Sequence, residues 1–168
     1  MKFFRDKLYE DITIPAPPTD DIGEAAEVKR LIANRTAEQE KSIADHDEVP
    51  FYAIKKYCDD NGMVFHKDEF RDIILQATDT INYFKDKFDR KRPIEVDSTL
   101  DTSPSKTNKT PSYPSGHATQ SRIVAKYVGG KFPEHEARLI EAGNEGGYGR
   151  VLAAVSYTHL TLPTNREV

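Results

Sequence analysis

Residues 67–88, KDEFRDIILQATDTINYFKDKF, decide the fold. Phe70, Ile73, Ile74, Ala77, Ile81, Phe84 and Phe88 recur at three- and four-residue steps, which draws one apolar stripe down a helix and obliges that stripe to face a core. The run predicts a helix from about Lys67 to Phe88. Pro93 is expected to stop it, because the residue before a proline avoids helical geometry.

Upstream, Pro15, Pro17 and Pro18 cannot continue a helix, so residues 1–20 read as an extended arm. From about Asp21 to Asp47 the pattern is helical, with Ala26, Val28, Leu31, Ile32 and Ile43 among many charges. Pro50 to Tyr57 reads as a short helix stopped by DDNG at 59–62. Downstream, Val96 to Tyr113 is rich in Ser, Thr, Lys and Pro. It reads as a loop long enough to be functional or disordered. Ser115 to Val128 is helical again, with Gly129 as its stop. Pro133 opens a further helix through Leu139 and Ile140. GNEGGYGR at 143–150 either breaks that helix or packs it very closely on a neighbour. No strand pattern, repeat or heptad run is present. The fold expected is all-α, a bundle of about six helices.

The 168 residues suffice for one domain with a core. With 37% hydrophobic and 31% charged residues the composition is that of a soluble globular protein. A net charge of −4 gives no overall attraction for nucleic acid or an acidic membrane surface, so any pull on anions must be local. Cys58 is the lone cysteine, which excludes an internal disulfide and a thiolate metal cluster. No signal peptide is read at the N-terminus, and no stretch approaches the ~20 apolar residues of a membrane span. The expected location is soluble: cytoplasmic as written, periplasmic if an upstream segment is missing.

The chemistry-bearing stretch is TPSYPSGHATQSR, 110–122. PSGH falls where the long loop meets a helix start, and a helix start has free backbone N–H groups and a positive dipole end. Gly116 allows close backbone approach, Ser115 supplies a cap, and His117 is a titratable donor beside any bound anion. The same residues also suit an ordinary serine-capped helix. Likewise YFKDKFDRKRP, 83–93, reads on its own as a solvated basic helix end.

Together these segments resemble something more specific. Lys85, six residues, Arg92-Pro93, a loop, Pro114-Ser115-Gly116-His117 and later Gly149-Arg150 resemble the type 2 phosphatidic acid phosphatase and vanadium haloperoxidase superfamily. PSYPSGHAT and GYGRVLA are most similar to strings of its soluble bacterial class A acid phosphatases. The resemblance covers Lys85 to about Ala154. It implies an all-α bundle that cleaves phosphate monoesters without a metal. Lys85, Arg92 and Arg150 would bind phosphate oxygens, backbone N–H groups at Ser115 and Gly116 would stabilise charge, and His117 would protonate the leaving alcohol. No cofactor is implied, although vanadate would mimic phosphate in the pocket. The expected partner is a small phosphorylated substrate, with no nucleic acid, no membrane span and no stated oligomeric state. A vanadate-dependent haloperoxidase and a non-catalytic anion-binding helical domain are the alternatives.

The pattern breaks at its end. The family's nucleophilic histidine should follow Arg150 after five residues, at Ser156, and its aspartate should fall at Leu160. His159 is shifted by three residues and does not substitute. VSYTHLTLPT, 155–164, resembles the translation of a transposon-end adapter used in sequencing libraries. The chain is therefore expected to divide into an arm at 1–20, a phosphatase-like helical domain at 21–154 lacking its last helix, and a non-native tail at 155–168. Loss of that helix is expected to expose Val151, Leu152 and Val155. An unbroken genomic read encoding VSYTHLTLPT would refute the adapter reading.

Overall fold

The computed structural model describes residues 2–64 and 66–158. His159 and Leu160 lie outside them. The described residues contain no strand, and the fold is all-α. Six helices of nine residues or more carry it: α1 (Asp21–Ile32), α2 (Ala37–Glu48), α3 (Tyr52–Asp60), α4 (Lys67–Phe88), α6 (Gly116–Lys131) and α7 (Glu136–Leu152). A single turn, α5 (Pro93–Val96), precedes the long loop. No described helix is long and apolar enough to cross a membrane.

The central pair is α6 and α7, with α4 packed on α6 and α1, α2 and α3 on α7. α4 keeps the expected bounds. Phe70, Ile73, Ala77, Ile81 and Phe84 are all buried on it, and Phe70 joins Ile54, Cys58, Val124, Val128 and Leu139 in the main core. Its end differs from the expected proline stop. Asp89 takes the left-handed conformation (φ 42°) and its N–H closes on the Lys85 carbonyl at 2.8 Å. Pro93 then opens α5 at a position where its missing N–H costs nothing.

The helical stretch expected from Asp21 to Asp47 is two helices. Thr36 and Gln39 exchange side-chain and backbone hydrogen bonds in a capping box, which starts α2 afresh. GNEGGYGR does not break α7; it is the close-packed surface. A Cβ on Gly143 would stand 3.1 Å from Ala125 Cβ, and one on Gly146 would stand 2.7 Å from the Pro50 carbonyl oxygen.

The N-terminal arm is extended except for a 3-10 turn at Leu8–Glu10. It is tied to α4: the Phe3 and Phe4 N–H groups donate to Gln76 Oε1, and Tyr9 stacks on Tyr83. The expectation that Val151, Leu152 and Val155 would be exposed is not met. All three are buried, because α7 turns back at Ala153–Ala154 and lays Val155 beside Ile43 and Tyr157 beside Val28 and Leu100.

Candidate anion-binding site

A cavity of about 190 Å³ opens between α4, α6, the end of α7 and the long loop, and Lys85, Arg92, Ser115, Gly116, His117 and Arg150 all line it. Four separate stretches of chain bring these six residues together. Lys85 is on α4 one residue past Phe84, whose burial fixes the turn. Arg92 precedes α5. Ser115 caps α6, its hydroxyl accepting from the Ala118 N–H at 3.4 Å. Gly116 and His117 are then the first helical residues, whose N–H groups have no intrahelical partner. Arg150 is on the last turn of α7.

All three cations are buried, at 5%, 6% and 3% exposure for Lys85, Arg92 and Arg150. The basic run at 83–93 is therefore only partly a solvated helix end: Lys87 and Lys91 are exposed, Lys85 and Arg92 are not. Even Arg90 is buried. It pairs with Asp21 at 2.8 Å and with Glu24, and lies over the Tyr157 ring at 3.9 Å.

The donors of the cations meet mostly uncharged acceptors. Lys85 Nζ donates to the Pro111 carbonyl. Arg92 donates from Nε to the Thr110 carbonyl at 2.8 Å and from Nη1 to the Val155 carbonyl at 2.5 Å. Among the described residues neither forms an ion pair. Arg150 has one, to Asp47 at 2.5 Å, and its Nη2 also donates to Ser105 and Thr107 hydroxyls at 3.1 Å. The crowding shows in the ionisation. Burial, then Arg92 and Arg150, pushes Lys85 down from 10.5 to about 7. Burial and Arg150 push Arg92 down to about 10. Burial, then Arg150, pushes His117 down from 6.5 to about 4.

Asp47 is the residue at this site that the sequence did not reveal. Its carboxylate accepts from Ser105 Oγ at 2.6 Å and the Lys106 N–H at 3.1 Å, as well as from Arg150. Burial alone would raise its pKa, but these hydrogen bonds and the Arg150 charge outweigh burial and lower it. Its main-chain carbonyl stands 3.3 Å from His117 Nε2. A carbonyl only accepts, so the contact requires the proton on Nε2. The long loop is thus held over the cations rather than free. Ser112 also donates from its N–H to the Arg90 carbonyl at 2.8 Å, and Ser103 to the Ala153 carbonyl at 3.0 Å.

Ser156 does not line the cavity; it is 1% exposed and its hydroxyl has no hydrogen-bond partner among the described residues. No group of three or more His, Cys, Asp or Glu among the described residues could hold a metal ion. A larger, more open groove of about 540 Å³ lies along α2, α3 and α7. Its walls mix acids such as Glu38 and Asp45 with Lys41, Lys56 and Arg138, so it has no matching concentration of positive charge.

No family model matches the chain. No curated protein matches it either.

Proposed function

We propose that this cavity takes the phosphoryl group of a small phosphate monoester, and that the chain carries the phosphoryl-binding half of a phosphomonoesterase of the phosphatase and haloperoxidase type. The observation that supports this reading is the burial of three cations around one small cavity, with a single carboxylate among the described residues, Asp47, paired to them. Burying like charges together is costly unless something negative completes the site. A tetrahedral oxyanion does so. Arg92 and Arg150 offer planar donor forks, Lys85 a point charge, and the start of α6 its free N–H groups. A bound anion also draws Lys85 and His117 back towards their charged forms. That readies His117 to donate a proton to a leaving oxygen.

The covalent step needs a nucleophile in line behind phosphorus. Ser156, at the position where the resemblance calls for histidine, is sealed in the interior, and among the described residues no base meets its hydroxyl. The chain as given therefore binds its anion and turns it over very slowly.

Calorimetry with orthovanadate and orthophosphate tests the reading. Arg92→Ala should lose on the order of 1.5–3 kcal/mol of binding, the worth of a charged hydrogen-bonded contact. Equal affinity in folded wild type and variant would refute it. Aryl phosphate hydrolysis should stay near background in both.

A further inference from the structure

The cavity has two unlike ends. On α4 its lining residues Thr78, Ile81, Asn82 and Lys85 fall at intervals of three, one and three, a single helix face. At 1.5 Å per residue, Thr78 lies roughly 10 Å along the axis from Lys85. On α6 the lining passes from Gly116 and His117 to Gln120, about one turn further on. Lys85, Arg92, Arg150 and His117 thus gather at one end. At the other, Gln120 Nε2 approaches Thr78 Oγ1 at 3.4 Å, and the exposed Asn82 stands between the two ends along α4.

We infer that the neutral end is a subsite for the leaving group, and that its chemical class is a small polyhydroxylated alcohol, as in a glycerol or sugar phosphate. The inference rests on the phosphoryl reading above. With phosphorus held among the cations and the bridging oxygen against His117, the alcohol must run along the same two helix faces towards Thr78, Asn82 and Gln120. Asn82 and Gln120 offer carboxamides, which both donate to and accept from substrate hydroxyls, whereas the Thr78 hydroxyl gives its proton to the Ile74 carbonyl at 2.7 Å and can only accept. The size agrees. About 190 Å³ is room for roughly six waters at ~30 Å³ each. That is below the ~300 Å³ at which pockets for larger organic ligands begin. An anion carrying a small polyol fits largely within it, whereas a nucleoside would extend well past the mouth.

The test is calorimetry on the full chain with three probes: orthophosphate, glycerol 2-phosphate and phenyl phosphate. Wild type should bind glycerol 2-phosphate about fivefold more tightly than phenyl phosphate, the equivalent of one net hydrogen bond. In Asn82→Leu/Gln120→Leu that ratio should fall to about one while orthophosphate affinity is unchanged. Asn82 is exposed and Gln120 half-buried, and circular dichroism checks the fold. Phenyl phosphate binding as tightly as glycerol 2-phosphate in wild type overturns the inference and leaves the phosphoryl site standing. So does an unchanged ratio in the double variant. Absence of orthophosphate binding to wild type overturns the phosphoryl reading, and the subsite with it.

Discussion

Arg150 on α7 and Asp47 at the end of α2 form an ion pair of 2.5 Å in which both side chains are largely buried, at 4% and 12% exposure. The pair joins a cation that lines the cavity to the helix end whose carbonyl faces His117. It also anchors the loop through Ser105 and Lys106.

Removing one side of this pair leaves an uncompensated charge. Asp47→Ala should cost on the order of 3 kcal/mol of stability. Saturating phosphate should recover part of that loss, because the bound anion supplies the missing counter-charge. Urea melts of both proteins with and without phosphate measure it. A gap between variant and wild type that does not narrow in phosphate would contradict this account.

Lys85 sets a pH dependence. Its folded value, about 7, is below the unfolded 10.5, so between these values only the unfolded chain holds the proton. From this group alone stability rises with pH across that window, by up to about 1.4 kcal/mol per unit. Anion affinity moves the other way. Above about pH 7 binding must recharge the amine, and affinity falls towards tenfold per unit. Lys85→Met should bind more weakly at pH 6 and lose this component of the decline. The ligand's own ionisation cancels in the ratio of the two proteins. Parallel affinity profiles from pH 6 to 9 would show that the lysine is not the titrating group.

His117 titrates near 4 in the folded chain and at 6.5 unfolded. As pH falls from 6.5 to 4 the unfolded chain takes the proton first, so this group's contribution to stability is progressively lost over that range. Saturating phosphate should shift the imidazole titration upward, by placing negative charge beside it. Ring chemical shifts followed by NMR read the shift directly; a titration unmoved by phosphate would mean that the ring does not face the anion.

The glycines of α7 should divide by what surrounds them. Gly146→Ala gains about 1 kcal/mol of helix propensity. It also drives a methyl against the Pro50 carbonyl oxygen and Ser121 Oγ, at 2.7 and 2.9 Å. Overpacking of this kind costs about 1–3 kcal/mol, so the variant should be destabilised overall. Gly149→Ala meets nothing within 4 Å and should be neutral to stabilising by up to ~1 kcal/mol. Thermal melts that rank the two the other way round would refute the packing described for α7.

The legible parts of the sequence were those with a local signal. α4 was readable to its bounds because its apolar side chains repeat at helical spacing. The six cavity residues were readable because three short motifs stood in order along the chain. The break between α1 and α2 was written in Thr36 and Gln39, but few apolar residues surround them and the charges mask the cap. Asp47 had no signal at all. Its neighbours in sequence, Asp45 and Glu48, are equally acidic, and only the approach of α7 and the loop singles it out. Arg90 was missed for the same reason, since a basic residue after a helix looks solvated until α1 brings Asp21 and Glu24 to it.

The carbonyls of Thr110, Pro111 and Val155 that receive Arg92 and Lys85 belong to the main chain. Every amino acid carries that oxygen, so the acceptors depend on the path of the backbone and not on which residues occupy 110, 111 and 155. As acceptors, these three positions ask nothing of their side chains, although Val155 is also held by its packing against Ile43, whereas the cations must keep their identity. Comparison among diverged versions of this chain should therefore find the site's memory in its donors and little of it in the stretches that hold them.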